Sequence, residues 1–206
     1  RLTRCTGRPV INLIGKTQLR QLPAALKSCD VLVSNDTGTI HIAAAVGTRT
    51  IGLYFSTAYF AETAPYGEGH IVLQVEIPTP SSESLEFAPN SGAAEHLTVE
   101  AVLSATRLAL GSAENAELRF PNLVAYRSSF LANGTLLYVP VEEAVAPARY
   151  LASLLHRLTW EKALGLESDE AFVAAVFSRQ ANSAAARKAF ADLRRALTGL
   201  MQALSK

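Results

Sequence analysis

Val31, Leu32 and Val33 form a short β-branched run, Ile40 to Val46 carries an alanine-rich pattern of helical type, and Thr50 to Phe55 forms a second strand-like run. The order is strand, helix, strand. Asp36 and Thr37 are each good N-caps for that helix, and Gly47, just past the last alanine, is its expected stop. Upstream, Val10 to Ile14 reads as a buried strand, and Thr17 as the cap of a helix that buries Leu19, Leu22 and Leu26 and is kinked at Pro23. Downstream come a loop from Ser56 to His70 and a strand from Ile71 to Val75, then a long surface excursion rich in Pro, Ser and Glu from Glu76 to His96. Thr98 caps a helix through Leu110, with Val99, Val102, Leu103 and Leu110 on or near its buried face.

The pattern then changes. Residues 122–143 alternate on both sides of Asn133-Gly134, the signal for a hairpin with a two-residue turn. From Glu142 onward the period is helical, with one helix over Val145 to Leu164 ended near Gly165, a second from Ser168 to about Gln180 and a third from about Ser183 to Leu204. The fold class expected is α/β: a partial Rossmann-like domain with a parallel sheet over residues 1–111, lacking its first strands, then a β-hairpin and three-helix appendage over 112–206. Trp160, with Leu155 and Leu158, reads as core of the appendage. Phe190, Leu193, Leu197, Leu200 and Leu204 recur at steps of three and four, a narrow stripe expected to pack on its own hairpin, or else on a second copy as an oligomer interface. On the opposite face Arg187, Lys188, Arg194 and Arg195 are basic, which suits either plain solvation or contact with an anionic lipid headgroup.

Of 206 residues 49% are hydrophobic and the net charge is +1, so a packed core is expected and a general attraction to nucleic acid is not. No apolar run approaches the roughly 20 residues of a membrane span and no signal peptide is visible, so a cytoplasmic location is expected. Cys5 and Cys29 fit no disulfide or metal spacing, and Cys29 reads as a buried thiol in a reducing compartment. His70, His96 and His156 read as solvated or structural, and neither metal nor cofactor is expected.

The candidate chemistry is concentrated in Asp36, Thr37, Gly38 and His41. A parallel strand–helix unit puts them at the carboxyl edge of the sheet, where open α/β sheets take ligands. First-turn N–H groups and the helix dipole suit a phosphate, and Gly38 has no side chain to keep one away. Asp36 would repel a diphosphate, so a sugar or ribose hydroxyl is its natural partner; the bland reading is a cap. His41, one turn in, can donate to a phosphate oxygen; the bland reading is a packing histidine. Lys16 is either a solvated lysine or a phosphate contact.

The run from "LIGKT" to "APYG" contains D-T-G-x-x-H followed by A-A-x-x-G-T, with "GKT" ahead of a leucine-patterned helix and "PYG" downstream. It resembles the nucleotide-sugar domain of glycosyltransferase family 9, the bacterial heptosyltransferases of lipopolysaccharide core, over about residues 10 to 110. The likeness implies a two-domain GT-B architecture, with the donor, usually ADP-heptose, held by the C-terminal domain and the lipopolysaccharide or saccharide acceptor by the N-terminal one. By that likeness Asp36, Thr37, Gly38 and His41 line the donor site, and Lys16 and Thr17 lie close to the nucleotide. Where the family commonly has "GPTDP" this chain reads Phe55-Ser56-Thr57-Ala58-Tyr59; Thr57 alone is retained, and Phe55 and Tyr59 are expected to reshape the sugar pocket. The family's catalytic base belongs to an N-terminal domain expected ahead of Arg1, so this chain alone is expected to be incomplete and inactive, with His41 its one candidate participant in the reaction. The rivals are a degenerate domain that holds a nucleotide sugar without transferring it, and an assembly module acting through the C-terminal helices.

Overall fold

A computed structural model describes residue 7, residues 9–55, 58–76, 92–112, 118–142 and 147–180, and scattered positions between 183 and 195. A 3-10 turn, Leu19–Gln21, leads into α1 (Leu22–Lys27), β1 (Val31–Asn35), α2 (Gly38–Ala45), β2 (Arg49–Tyr54), α3 (Phe60–Thr63) and β3 (Ile71–Val75). A second 3-10 turn, Ala93–His96, precedes α4 (Val99–Ala109), β4 (Leu123–Phe130), β5 (Leu136–Pro140), α5 (Ala148–Ala163) and α6 (Glu170–Gln180). Among the described residues no helix is long and apolar enough to cross a membrane.

The strands form one mixed sheet in chain order. β1, β2 and β3 are parallel, with Val33 opposite Ile51 and Ile51 opposite Ile71. β4 then adds antiparallel to β3, with Leu73 opposite Ala125, and β5 closes the hairpin. The hairpin expected of the appendage is thus paired into the same sheet as the α/β segment. β3 is buried at all five positions, as a strand covered on both faces must be. Period-two alternation divides its side chains: Ile71, Leu73 and Val75 meet Ala101, Ala105 and Ala109 of α4, while Val72 meets Tyr54, Tyr126 and Tyr150 on the other face.

Several expectations hold. Thr98 caps α4, its hydroxyl accepting from the Ala101 N–H at 3.2 Å. Gly47, at φ 83°, ends α2, its own N–H donating to Ala44 O and that of Thr48 to Ala43 O, the paired bonds of a Schellman turn. Others are corrected. Residues 10–14 form no strand: Ile14 N–H donates to the Asn12 side chain and Lys16 N–H to Leu13 O, so the backbone is spent in a local turn, and Ile11 and Ile14 are exposed. Thr17 caps no helix; α1 starts at Leu22, and Pro23 sits in its first turn, where a missing N–H breaks no bond. Leu26 is buried but Leu19 is exposed, as is Cys29, whose thiol donates to Ala25 O at 3.4 Å. The buried face of α4 is the alanine column; Val99, Leu103 and Leu110 point outward, because small side chains let the helix lie close on the sheet.

The hairpin turn has three residues, not two. Leu131 N–H donates to Thr135 O and Gly134 N–H to Leu131 O, and only Gly134 has a positive φ, 78°, whereas the two-residue turn expected of Asn-Gly needs it at both centres. Trp160 is 48% exposed, its indole N–H donating to His156 Nε2 at 2.9 Å; Tyr150, Leu151 and Leu154 are the buried residues of α5. Phe190, Leu193, Leu197, Leu200 and Leu204 lie outside the described residues, as do Cys5 and Arg194.

Enlarging the alanine column tests the close approach of α4. Ala105→Leu is expected to lower stability by about 1–3 kcal/mol through overpacking, while Leu103→Ala, on the exposed face, stays within about 0.5 kcal/mol; urea melts of the two variants read the contrast.

Candidate functional site

The turn between β1 and α2 forms at the carboxyl end of β1. Thr37 occupies the N-cap of α2 in extended conformation, and no side chain caps the helix. Asp36, read from sequence as an alternative cap, is not one. The Thr37 hydroxyl instead lies 3.4 Å from that of Ser34, so the N–H groups of Gly38 and Thr39 keep their positive end of the helix free of side-chain acceptors. A Cβ placed on Gly38 would meet nothing within 4 Å, which shows open space in front of the helix, and Thr37, Gly38 and His41 are all exposed there.

Asp36 is held by a residue that sequence reasoning does not single out. Its Oδ2 accepts from the Thr63 hydroxyl at 2.7 Å, and the Thr63 carbonyl in turn accepts from the Tyr54 hydroxyl at 3.2 Å. Thr63 ends α3, so the short helix after the 55–59 loop is tied to the turn before α2. Burial, and then the negative charge of Asp36, push the Tyr54 hydroxyl well above its ordinary pKa. Thr63 stands 27 residues from Asp36, and the only nearby signal in sequence is the "PYG" that comes after it. The first and last residues of that motif have structural work. The Pro65 carbonyl accepts from the Tyr138 hydroxyl of β5 at 2.9 Å, and a Cβ on Gly67 would fall 2.6 Å from His70 Nε2.

Lys16 and Thr17 are exposed in the turn after Gly15, and among the described residues no hydrogen bond or ion pair joins either to Asp36 or His41. Thr57 lies outside the described residues. Phe55 and Tyr59 both turn into the protein's interior: Phe55 packs against the α4 side of the sheet, and Tyr59, 4% exposed, joins Phe60, Tyr126 and Tyr150 on the other. The Arg149 guanidinium of α5 lies over the Tyr59 ring, 3.7 Å from its centroid.

Gln74, buried in β3, anchors this region. Its Oε1 accepts from the Phe60 N–H at 3.2 Å, and its Nε2 faces the carbonyls of Tyr54, Ala58 and Val75 at 3.4, 3.4 and 3.1 Å. His70 is buried and structural: the Thr50 N–H donates to its Nδ1 at 3.2 Å, its own N–H donates to the Ser128 hydroxyl at 2.8 Å, and burial lowers its pKa. Glu76 is less well served. Its Oε1 and the hydroxyls of Tyr59, Tyr126 and Tyr150 are buried without hydrogen-bond partners, and burial pushes its carboxyl up to about 7 against the pull of Arg149.

With the turn, its free helix terminus and the Asp36–Thr63 clasp in place, comparison with known proteins is informative. Residues 1–88 match glycosyltransferase family 9 (heptosyltransferase). The family 9 segment therefore covers β1, α2, β2, α3 and β3, together with the whole Asp36–His41 turn. The lipopolysaccharide core heptosyltransferase OpsX of Haemophilus influenzae is 42% identical over 81 residues, covering 35% of this chain and 22% of that protein. The lipooligosaccharide heptosyltransferase 2 of the same organism is 44% identical over 48 residues, 23% of this chain and 14% of that protein. The chain thus spans less than a quarter of the length of either relative. No solved structure matches it.

The raised carboxyl of Glu76 gives a signed expectation. Because the fold favours its protonated form, stability falls as pH rises from about 4.5 to about 7 and is level above, by on the order of 3 kcal/mol in all. Glu76→Gln is expected to remove that slope and to be the more stable protein at pH 8. Urea melts of both at pH 5 and pH 8 check it. His70, depressed by burial, acts the other way, with stability lost as pH falls below about 6.5, but it contributes equally to both proteins and cancels in the difference.

Proposed function

We propose that this chain supplies the donor-binding part of a GT-B glycosyltransferase that moves a heptose from a nucleotide diphosphate to a lipopolysaccharide-core acceptor. The observation that carries the reading is the coincidence of the family 9 match with an uncapped helix terminus, free space at Gly38 and an adjacent carboxylate, all at one sheet edge. In this reading the diphosphate of ADP-heptose sits against the Gly38 and Thr39 N–H groups and the helix dipole. Asp36, its second oxygen open, accepts from a ribose or sugar hydroxyl, and the Thr63 bond fixes the direction it faces. His41, exposed on the first turn, donates to a phosphate oxygen and stabilises the charge that grows on the leaving nucleotide. Lys16 and Thr17 are assigned to the nucleotide, and Thr57 to the sugar. The base that deprotonates the acceptor belongs to another part of the enzyme, so the chain alone binds the donor and does not transfer. The work is done at the cytoplasmic face of the inner membrane, where such an acceptor is assembled, and needs neither metal nor cofactor.

Calorimetric titration with ADP, UDP and ADP-heptose, alongside thermal melts, tests the assignment. Gly38→Val is expected to abolish binding with little loss of stability, since its side chain enters only the space in front of the helix. His41→Ala should weaken binding roughly ten-fold or more, the effect of losing about 1.5–3 kcal/mol of hydrogen bond to a charged group. Asp36→Asn should keep the Thr63 bond and the fold while losing discrimination between ADP and ADP-heptose. If the three variants melt early yet bind normally once folded, the turn is a packing device and the reading fails. Sugar transfer by the chain alone would overturn the statement that it is incomplete.

A further inference from the structure

A groove of about 480 Å³ opens on the far side of α3 from Asp36, walled by α3, β5 and α5. Its volume falls within the roughly 300–1,000 Å³ of small-molecule clefts. Thr63 reaches the donor turn, while its neighbours Glu62 and Ala64 line this groove, so the two concavities share one short helix.

The lining specifies its ligand by what is already paired. Arg157 is the groove's one guanidinium, and its Nε is engaged with Glu161 at 2.7 Å and its Nη1 with the Leu136 carbonyl at 2.9 Å. Glu161 already balances Arg157, and Glu62 adds a further negative charge, which disfavours a free phosphate or carboxylate. His156 accepts the Trp160 N–H at Nε2, so its proton is on Nδ1, a neutral donor. The Ser153 hydroxyl donates to the Tyr150 carbonyl at 2.7 Å and keeps its lone pairs. What is left is Arg157 Nη2 and His156 Nδ1 as donors, Ser153 and Glu62 as acceptors, and the unpaired hydroxyls of Tyr59 and Tyr150, which can do either. An alkyl chain would strand those polar groups. A ring with hydroxyls around its rim and C–H bonds on its faces satisfies them and packs on the half-buried apolar walls at Leu136 and Ala64.

We propose that this groove is a second saccharide site, binding a neutral sugar ring independently of the nucleotide turn. Its use in transfer rests on the function proposed above; its binding chemistry does not.

The test is an amide chemical-shift titration of the full chain with methyl mannoside and methyl glucoside, with inorganic phosphate and octanoate as contrasting probes. Saturable shifts at Ala61, Ser153 and Arg157 with a glycoside are expected, at least ten-fold stronger than with phosphate or octanoate. Ala61→Trp, which fills the groove from an exposed helix position, should abolish them, and Ser153→Leu serves if that variant does not fold. Asp36→Asn should leave them intact. No shift with either glycoside, a stronger response to phosphate or octanoate, or glycoside binding that survives a folded groove-filling variant would overturn the proposal. Glycoside binding in a chain that takes no ADP would sink the donor reading and leave this one standing.

Discussion

The antiparallel ladder between β3 and β4 is the bond on which the rest of this chain depends. β3 is the last strand of the family 9 segment and β4 the first strand beyond it, so ten extended residues or so join two stretches that differ in pattern. A ladder of this kind ties the main chains together but does not stabilise a protein by itself; side chains must bury its faces. They do so on both sides. The α4 alanines, with Leu118, close one face, and Tyr126, Tyr138 and Tyr150 close the other. Residues after the ladder thus supply much of the core for residues before it.

The two faces are packed by different means. Against α4 the contact is close and aliphatic, with small residues on the helix and branched ones on the sheet. On the opposite face it is aromatic and bulky: Phe60 lies 4.2 Å from Tyr126 between ring centroids, and Tyr126 lies 5.1 Å from Tyr150. Large rings bring hydroxyls with them, and three of these, with the Glu76 carboxylate, are buried unpaired. Such groups cost stability, and their position matters, since Tyr59 leads into α3 and α3 holds Asp36. Packing from α5 therefore reaches the turn before α2 through Arg149, Tyr59 and Thr63 in succession.

Most of the local structure is legible in the sequence, because caps, stops and period-two runs act over a few residues: α2 with its Gly47 stop, Thr98 at the head of α4, and β3 to the residue. The turn between β1 and α2 is legible for the same reason. Sequence falls short where a distant partner decides. Residues 10–14 have the composition of a strand, but a strand needs a neighbour, and here the local turn at Asn12 and Gly15 takes up the backbone. The buried face of α4 is hard to read because large apolar residues draw attention, whereas close approach to a sheet selects alanine. Thr63 carries no signal of its own because its role exists only once α3 is folded beside β1. That the hairpin joins the main sheet is invisible in its alternation, which marks a strand but not its partner.

Gln74 carries a consequence for how this protein can change. Its amide meets Tyr54 on one side of the 55–59 loop and Ala58 and Phe60 on the other, using three main-chain groups and no side chain of the loop. Those bonds go to main-chain groups and survive a change of side chain in the loop, whereas Phe55 and Tyr59 at its ends are held by the core and cannot vary freely. Replacement of Gln74 itself would leave buried carbonyls and an amide N–H without partners. Evolvability and rigidity are here assigned to neighbouring residues, and a single amide marks the border between them.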